Sequence, residues 1–423
     1  MSGLRNLGYD DLHACYILGP LVDLTHERVL AALRDALASP RGARLHYLRT
    51  RGGRWRRAEP SAALAASTRA VESVEGAIDR AELADRAMER VFGPGELPVR
   101  IFINQGLIAF GFPHSLYDGG GATSVASLVV EKLGTPGVDT VPAVPWAKAP
   151  LRTAMKRLGL TGPAGIRTAR QIFRSRNAQT ETAYPFSRTL TKTESVARTR
   201  TVSFMLPADG VRAIASIPEQ AVEGRRPARP PVSLKAASLV LRCLRDSSHD
   251  GADFRVVIPI DARRWVPRGF DVEGNFAPSI PMGRLMSDEW SATALTERIS
   301  AATKSGVPVA WLLATTLISL KNAVRHPVAS RRVPDETPRV PLEIHVSLPT
   351  TEVVVDEALM PYVDASTFVG GLPEHLRLPL GVWVEITPLR GGLHVIVRDE
   401  TGAFDLNGFE GRLHALIAAD ANA

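Results

Sequence analysis

The chain has 423 residues, 45% hydrophobic and 22% charged, which suits a soluble globular protein of two large or three smaller domains and excludes a disordered or collagen-like chain. Two cysteines, Cys15 and Cys243, exclude a disulfide framework, and no CxxC pair occurs, which points to a reducing cytoplasm. The net charge of +7 is uneven: Lys148 to Arg229 holds 16 Lys/Arg against 5 Asp/Glu, a local +11, and leaves −4 for the rest.

Along the chain, residues 1–19 lack a charged stretch followed by a long apolar run, so no signal peptide is evident. Thr25 is placed to cap a helix with Leu30, Leu33 and Leu37 on one face. Short strands are predicted at 45–48 and 54–56 around Gly52-Gly53, and a helix at 77–91 that stops at Gly93-Pro94-Gly95. Strands at 99–103 and 107–112 flank Asn104-Gln105-Gly106, the pattern of a hairpin. A glycine-rich loop follows, then a helix at 122–133. Residues 135–150 read as an irregular connection, 151–180 as basic amphipathic helix and 180–199 as a polar linker, which divides the chain into 1–180 and 181–423.

The second part opens with a strand at 201–206, a short helix after Ala208-Asp209 and a Pro/Arg-rich loop at 221–231. A helix at 232–245, strands at 254–260 and 277–282, and helices at 292–304 and 308–324 come next. The longest apolar stretch, 307–320, is too short to span a bilayer. A strand at 342–348, a hairpin of 380–387 with 393–398, and a closing helix near Asp405 carrying Phe409, Leu413 and Leu416 complete the pattern.

HExxH, Walker A, GxSxG and a helix-opening GxGxxG are all absent, and no two histidines stand at the i,i+3 or i,i+4 spacing of helical metal ligands. One local feature carries chemistry: His114-Ser115-Leu116-Tyr117-Asp118-Gly119-Gly120-Gly121, between a buried strand and a helix. A histidine there titrates near neutrality and suits a general base, and the adjacent glycines allow a substrate or backbone to approach closely. The alternative is a satisfied histidine in an ordinary glycine turn. The acid-free stretch 148–180 favours an anionic partner or is a solvated basic face. Few aromatic residues lie among its arginines, which argues against nucleic-acid binding.

His114 to Gly119 resembles the HxxxDG signature of the chloramphenicol acetyltransferase-like superfamily, which includes nonribosomal peptide condensation domains, plant BAHD enzymes, polyketide-associated acyltransferases and wax ester synthases. Its place a quarter of the way along the chain fits. So do Ile258-Pro-Ile-Asp261-Ala-Arg263-Arg264 with Gly274-Asn275-Phe276, and the closing strand, hairpin and helix. The resemblance implies an α/β (α+β) fold of two similar domains packed side by side around a tunnel with His114 at its middle. It implies direct acyl transfer from acyl-CoA or acyl-phosphopantetheine to a hydroxyl or amine, with no further cofactor and no metal. His114 would be the base. Asp118 would pair with Arg263, or failing that Arg264, and hold the loop.

Gly119 would offer a backbone N–H toward the thioester. Tyr117 gates the tunnel or fills the loop; Asn275 orients substrate or shapes a turn; Ser347 stabilises an oxyanion or is packed in its strand. Pro113 replaces the first histidine of HHxxxDG and no DFGWG occurs, departing from condensation domains and from BAHD enzymes. A stand-alone acyltransferase of specialised biosynthesis remains, expected to be a cytoplasmic monomer with a CoA or carrier-protein donor and at most peripheral membrane contact. The alternative is a degenerate member that binds a carrier protein or ligand without catalysis.

Overall fold

The computed structural model describes residues 13–78, 80–89, 92–113, 116–117, 119–137, 144–180, 200–218, 230–248, 253–272, 276–286, 288–325, 343–348, 381–389 and 392–421. They form two compact units: 13–148 with 266–276, and 149–265 with the described residues from 277 onward.

The first unit runs β1 (His13–Leu18), α1 (His26–Ala38), β2 (Tyr47–Arg49), β3 (Trp55–Arg57), α2 (Pro60–Ala66), β4 (Val71–Ser73), α3 (Arg80–Glu89), β5 (Arg100–Asn104), β6 (Leu107–Pro113) and α4 (Gly119–Gly134). Its main sheet has the order β1-β6-β5-β4, with β4 parallel to β5 and the other pairs antiparallel, while β2 and β3 form a separate ribbon. β5 and β6 are the expected hairpin. Gln105 and Gly106 carry φ of 43° and 84°, the positive angles that a two-residue turn matching strand twist demands. Thr25 caps α1 by accepting from the Arg28 N–H at 3.2 Å. The buried row of α1 is Val29, Ala32, Leu33, Ala36 and Leu37, with Leu30 only half buried, so the inward face lies one position from the leucine pattern. α3 packs on β6 because residue 111 is glycine: a Cβ there would lie 2.3 Å from the Ala87 carbonyl oxygen.

The second unit runs α5 (Pro150–Arg157), α6 (Gly162–Thr180), β7 (Arg200–Leu206), α7 (Ala208–Ser216), α8 (Val232–Asp246), β8 (Arg255–Pro259), β9 (Ser279–Arg284), α9 (Ala292–Lys304), α10 (Val307–Arg325), β10 (Glu343–Ser347), β11 (Gly381–Leu389), β12 (Gly392–Asp399) and α11 (Phe409–Ala421). The basic helical stretch at 151–180 is thus two helices, parted where Gly159 and Gly162 take φ of 66° and 72°. Both lie before the expected division at 180/181 and pack within the second unit, each against α10. The sheet order is β7-β12-β11-β10-β8-β9, with β10 parallel to both its neighbours. Alternation along the strands sends Val256, Ile258, Ile344, Val346, Val382, Val384, Ile386, Val395 and Val397 into one core with α7, α8 and α11. In α11 the buried positions are Phe409, Leu413 and Ile417; Leu416 is half buried. Among the described residues, no helix is long and apolar enough to cross a membrane.

Candidate active site

β6 is buried from Ile108 to Pro113, and α4 opens at Gly119. The segment 114–118 is therefore a short bridge between a strand held on both sides by neighbours and a helix that buries Ala122, Val125, Ala126, Val129, Val130 and Leu133. His114, Ser115, Asp118 and Asn275 lie outside the described residues. The described part of the bridge turns sharply: the N–H groups of Leu116 and Tyr117 both donate to the Pro113 carbonyl, at 3.0 and 3.2 Å.

Tyr117 locks this turn. It is 2% exposed and its ring meets Phe112 edge-on, with centroids 5.4 Å apart at 64°. Its hydroxyl donates to the Arg44 carbonyl at 2.6 Å. Burial pushes its ionisation well above the ordinary phenol range, against the opposing pull of the Arg44 charge, so the hydroxyl stays a donor. Of the two roles open to Tyr117, these contacts fit filling the loop.

Arg44 joins three segments of the first unit. Its carbonyl takes the Tyr117 proton, and its guanidinium grips the Asp271 carboxylate in a two-pronged pair, Nε to Oδ2 at 3.0 Å and Nη2 to Oδ1. The same guanidinium lies over the Trp146 ring, 5.2 Å from its centroid. Asp271 is tied on by its backbone as well: its N–H donates to the Pro145 carbonyl and its carbonyl accepts from Ala147, both at 2.8 Å. The stretch that leads to Gly274-Asn275 is thereby fixed to the segment before α5. Nothing local in the sequence marks Arg44, Trp146 or Asp271, since Arg44 and Asp271 meet from 227 positions apart.

Arg263 belongs to the second unit, in a short 3-10 turn at Ala262–Trp265. Its N–H and its guanidinium Nη1 both donate to Asp261 Oδ1, at 2.9 and 3.1 Å. Ser347 closes β10, half buried, and stands in register with Glu385 of β11. Gly119 is the first residue of α4.

The face of the second sheet opposite its core is polar and still buried. Glu343 pairs with Arg255, its Oε2 lies 3.1 Å from His345 Nε2, and the His345 ring stacks on Trp383 with centroids 4.2 Å apart. Burial alone would raise the Glu343 carboxyl, but the neighbouring His345 and Arg255 outweigh it and hold the group below its usual range. Among the described residues, no three His, Cys, Asp or Glu side chains gather to hold a metal.

No protein-family model matches the chain, and no curated protein matches its sequence. Solved structures do. The TRI3 trichothecene 15-O-acetyltransferase from Fusarium sporotrichioides aligns at a TM-score of 0.60 and 11% identity, over 99% of this chain and 93% of its own. The EpoB cyclization-docking bidomain from Sorangium cellulosum, of a nonribosomal peptide synthetase, aligns at 0.59 and 13%, over 99% and 83%. The epimerization domain of tyrocidine synthetase TycB3(E) aligns at 0.55 and 12%, over 97% and 92%. The chain shares the fold of these structures, the two-lobed chloramphenicol acetyltransferase-like fold that the sequence resemblance implies. Chains of this fold are named for acetyl transfer, cyclization and epimerization, so the fold by itself does not assign a reaction.

Proposed function

We propose that this condensation-type chain is an acyltransferase that moves an acyl group from a CoA or carrier-protein thioester to a hydroxyl or amine acceptor in natural-product biosynthesis. The observation that carries the reading is the junction of β6 and α4. The HxxxDG segment lies where a buried strand ends at Pro113 and a helix opens at Gly119, in a chain whose whole length aligns with an acetyltransferase. In this reading His114 takes the proton from the acceptor as its oxygen or nitrogen attacks the thioester carbonyl. The carbon–sulfur bond breaks, and the proton leaves with the thiol. Asp118 and Arg263 support the loop, Gly119 offers a backbone N–H toward the thioester, and Asn275 and Ser347 contact substrate.

The donor side is supported by charge. Arg152, Lys156 and Arg157 on α5 and Arg167, Arg170 and Arg174 on α6 are all exposed, and 149–180 contains no acid. CoA phosphates and acidic carrier proteins are both attracted by such a face, and the attraction weakens with salt.

The reading is tested by free-thiol release from a series of acyl-CoAs and acyl carrier proteins offered with pooled alcohols and amines. Thiol release that depends on both donor and acceptor is the expected result. A chain that binds the donors and releases no thiol from any of them is a binding protein, and the proposal fails.

A further inference from the structure

The second unit has a cavity among its own helices, where the end of α7, the middle of α8, the start of α9 and the end of α11 meet. It holds about 470 Å³, its open mouth included. Its walls combine apolar side chains, Ile217, Pro218 and Leu239, with the cations Lys235 and Arg242.

The two cations differ in what they meet. Arg242 is matched by Asp420, which also lines the cavity: Nη1 donates to Oδ2, and Nη2 to Oδ1 at 3.1 Å. Lys235 has no such partner. It is 7% exposed, and its Nζ donates to the Ala215 and Ile217 carbonyls, each at 2.9 Å, with no carboxylate in ion-pair range among the described residues. Those carbonyls end α7, and their partial negative charge offsets part of the ammonium. One N–H and the rest of the charge remain.

Another wall of the cavity is the first turn of α9. Ser291 caps this helix by accepting from the Ala294 N–H at 3.2 Å. The N–H groups of Ala292 and Thr293 have no acceptor among the described residues. Thr293 is 8% exposed, and its hydroxyl makes no hydrogen bond among the described residues either. An ammonium N–H, a hydroxyl and two helix N–H groups thus line one buried space, all able to donate.

Donors gathered without acceptors suit an anion. The lining side chains carry two cations against one carboxylate, so a monoanion balances them, whereas a phosphate dianion would exceed the charge and face Asp420. The apolar wall suits an apolar body. We propose that this cavity binds the carboxylate of a short apolar acid, held by Lys235 Nζ, the Thr293 hydroxyl and the first turn of α9. The site belongs to the second unit alone and stands independently of the acyl-transfer reading.

The experiment is isothermal titration calorimetry of the full chain with hexanoate and benzoate, with hexanamide and benzamide, and with inorganic phosphate. Wild type binds the two acids in preference to the amides and to phosphate. Lys235→Met weakens acid binding about tenfold or more, the worth of a charged hydrogen bond, and Thr293→Val weakens it several-fold. Hydrogen exchange at Ala292 and Thr293 slows when the acid binds. Lys235 also holds the end of α7, so Thr293→Val, which keeps the side chain's shape, carries the test if Lys235→Met does not fold. The proposal is overturned if wild type binds neither acid, or if the amides or phosphate bind as tightly as the acids. It is overturned equally if every folded variant binds the acids as wild type does, which would place them elsewhere in the chain.

Discussion

Replacing Glu385 with glutamine tests the energetic reading of the buried polar face without any substrate. The side chain is 6% exposed, and burial lifts its carboxyl from 4.5 to about 7. Each tenfold in proton affinity is worth about 1.4 kcal/mol, so the ionised group costs the fold roughly 3 kcal/mol. A carboxyl raised in the folded state contributes stability that is whole below 4.5 and is lost as pH climbs through 7, because the unfolded chain releases the proton first. Glutamine keeps the shape and the Thr387 contact and has no proton to lose. The variant is therefore expected to match wild type near pH 4.5 and to exceed it by about 3 kcal/mol at pH 8. Urea unfolding at half-unit steps of pH reads this directly, with hydrogen exchange over 381–399 identifying the transition that belongs to the second unit. Parallel stability curves for the two proteins would refute the argument that burial governs this group.

Other positions have equally definite consequences. Tyr117→Phe removes the donor to the Arg44 carbonyl and is expected to lower the stability of the first unit by about 1–3 kcal/mol, measured by denaturant midpoint; no change would mean that the bond does not hold the turn. Asp271→Ala leaves the Arg44 guanidinium without its two-pronged partner, at an expected cost of roughly 2–3 kcal/mol, while Asp271→Asn recovers part of the loss; equal effects of the two would exclude a charge contribution.

How much of this was legible in the sequence depended on where the information lay. The 107–113 strand, the hairpin turn and the HxxxDG segment are local, so alternation, turn residues and spacing revealed them. The helix at 292–304 was readable to its ends, where Ser291 caps the first turn. β1 escaped notice because its partner is β6, about a hundred residues away, and its sequence, HACYIL, alternates poorly. β4 is three residues long and exists through parallel pairing with β5. In α1 the leucine spacing marks a face through Leu30, whereas the core accepts Val29, Ala32 and Ala36 beside Leu33 and Leu37.

The site divides in the same way. Alternation in 343–347 and 383–387 marks strands with one apolar and one polar face, and such a pattern reads as polar toward water. That Glu343, His345, Glu385 and Thr387 are nevertheless buried is a property of tertiary structure and left no local sign. The Arg44, Trp146 and Asp271 bracket is equally tertiary: three ordinary residues acquire a role by meeting.

The most direct test of the central claim is the rate of acyl transfer by wild type and His114→Ala, compared side by side with a donor and acceptor that wild type uses. A general base contributes about 10²- to 10⁴-fold, so the variant is expected to lose at least a hundredfold in kcat with its melting temperature nearly unchanged. Near-normal turnover by His114→Ala would contradict the account.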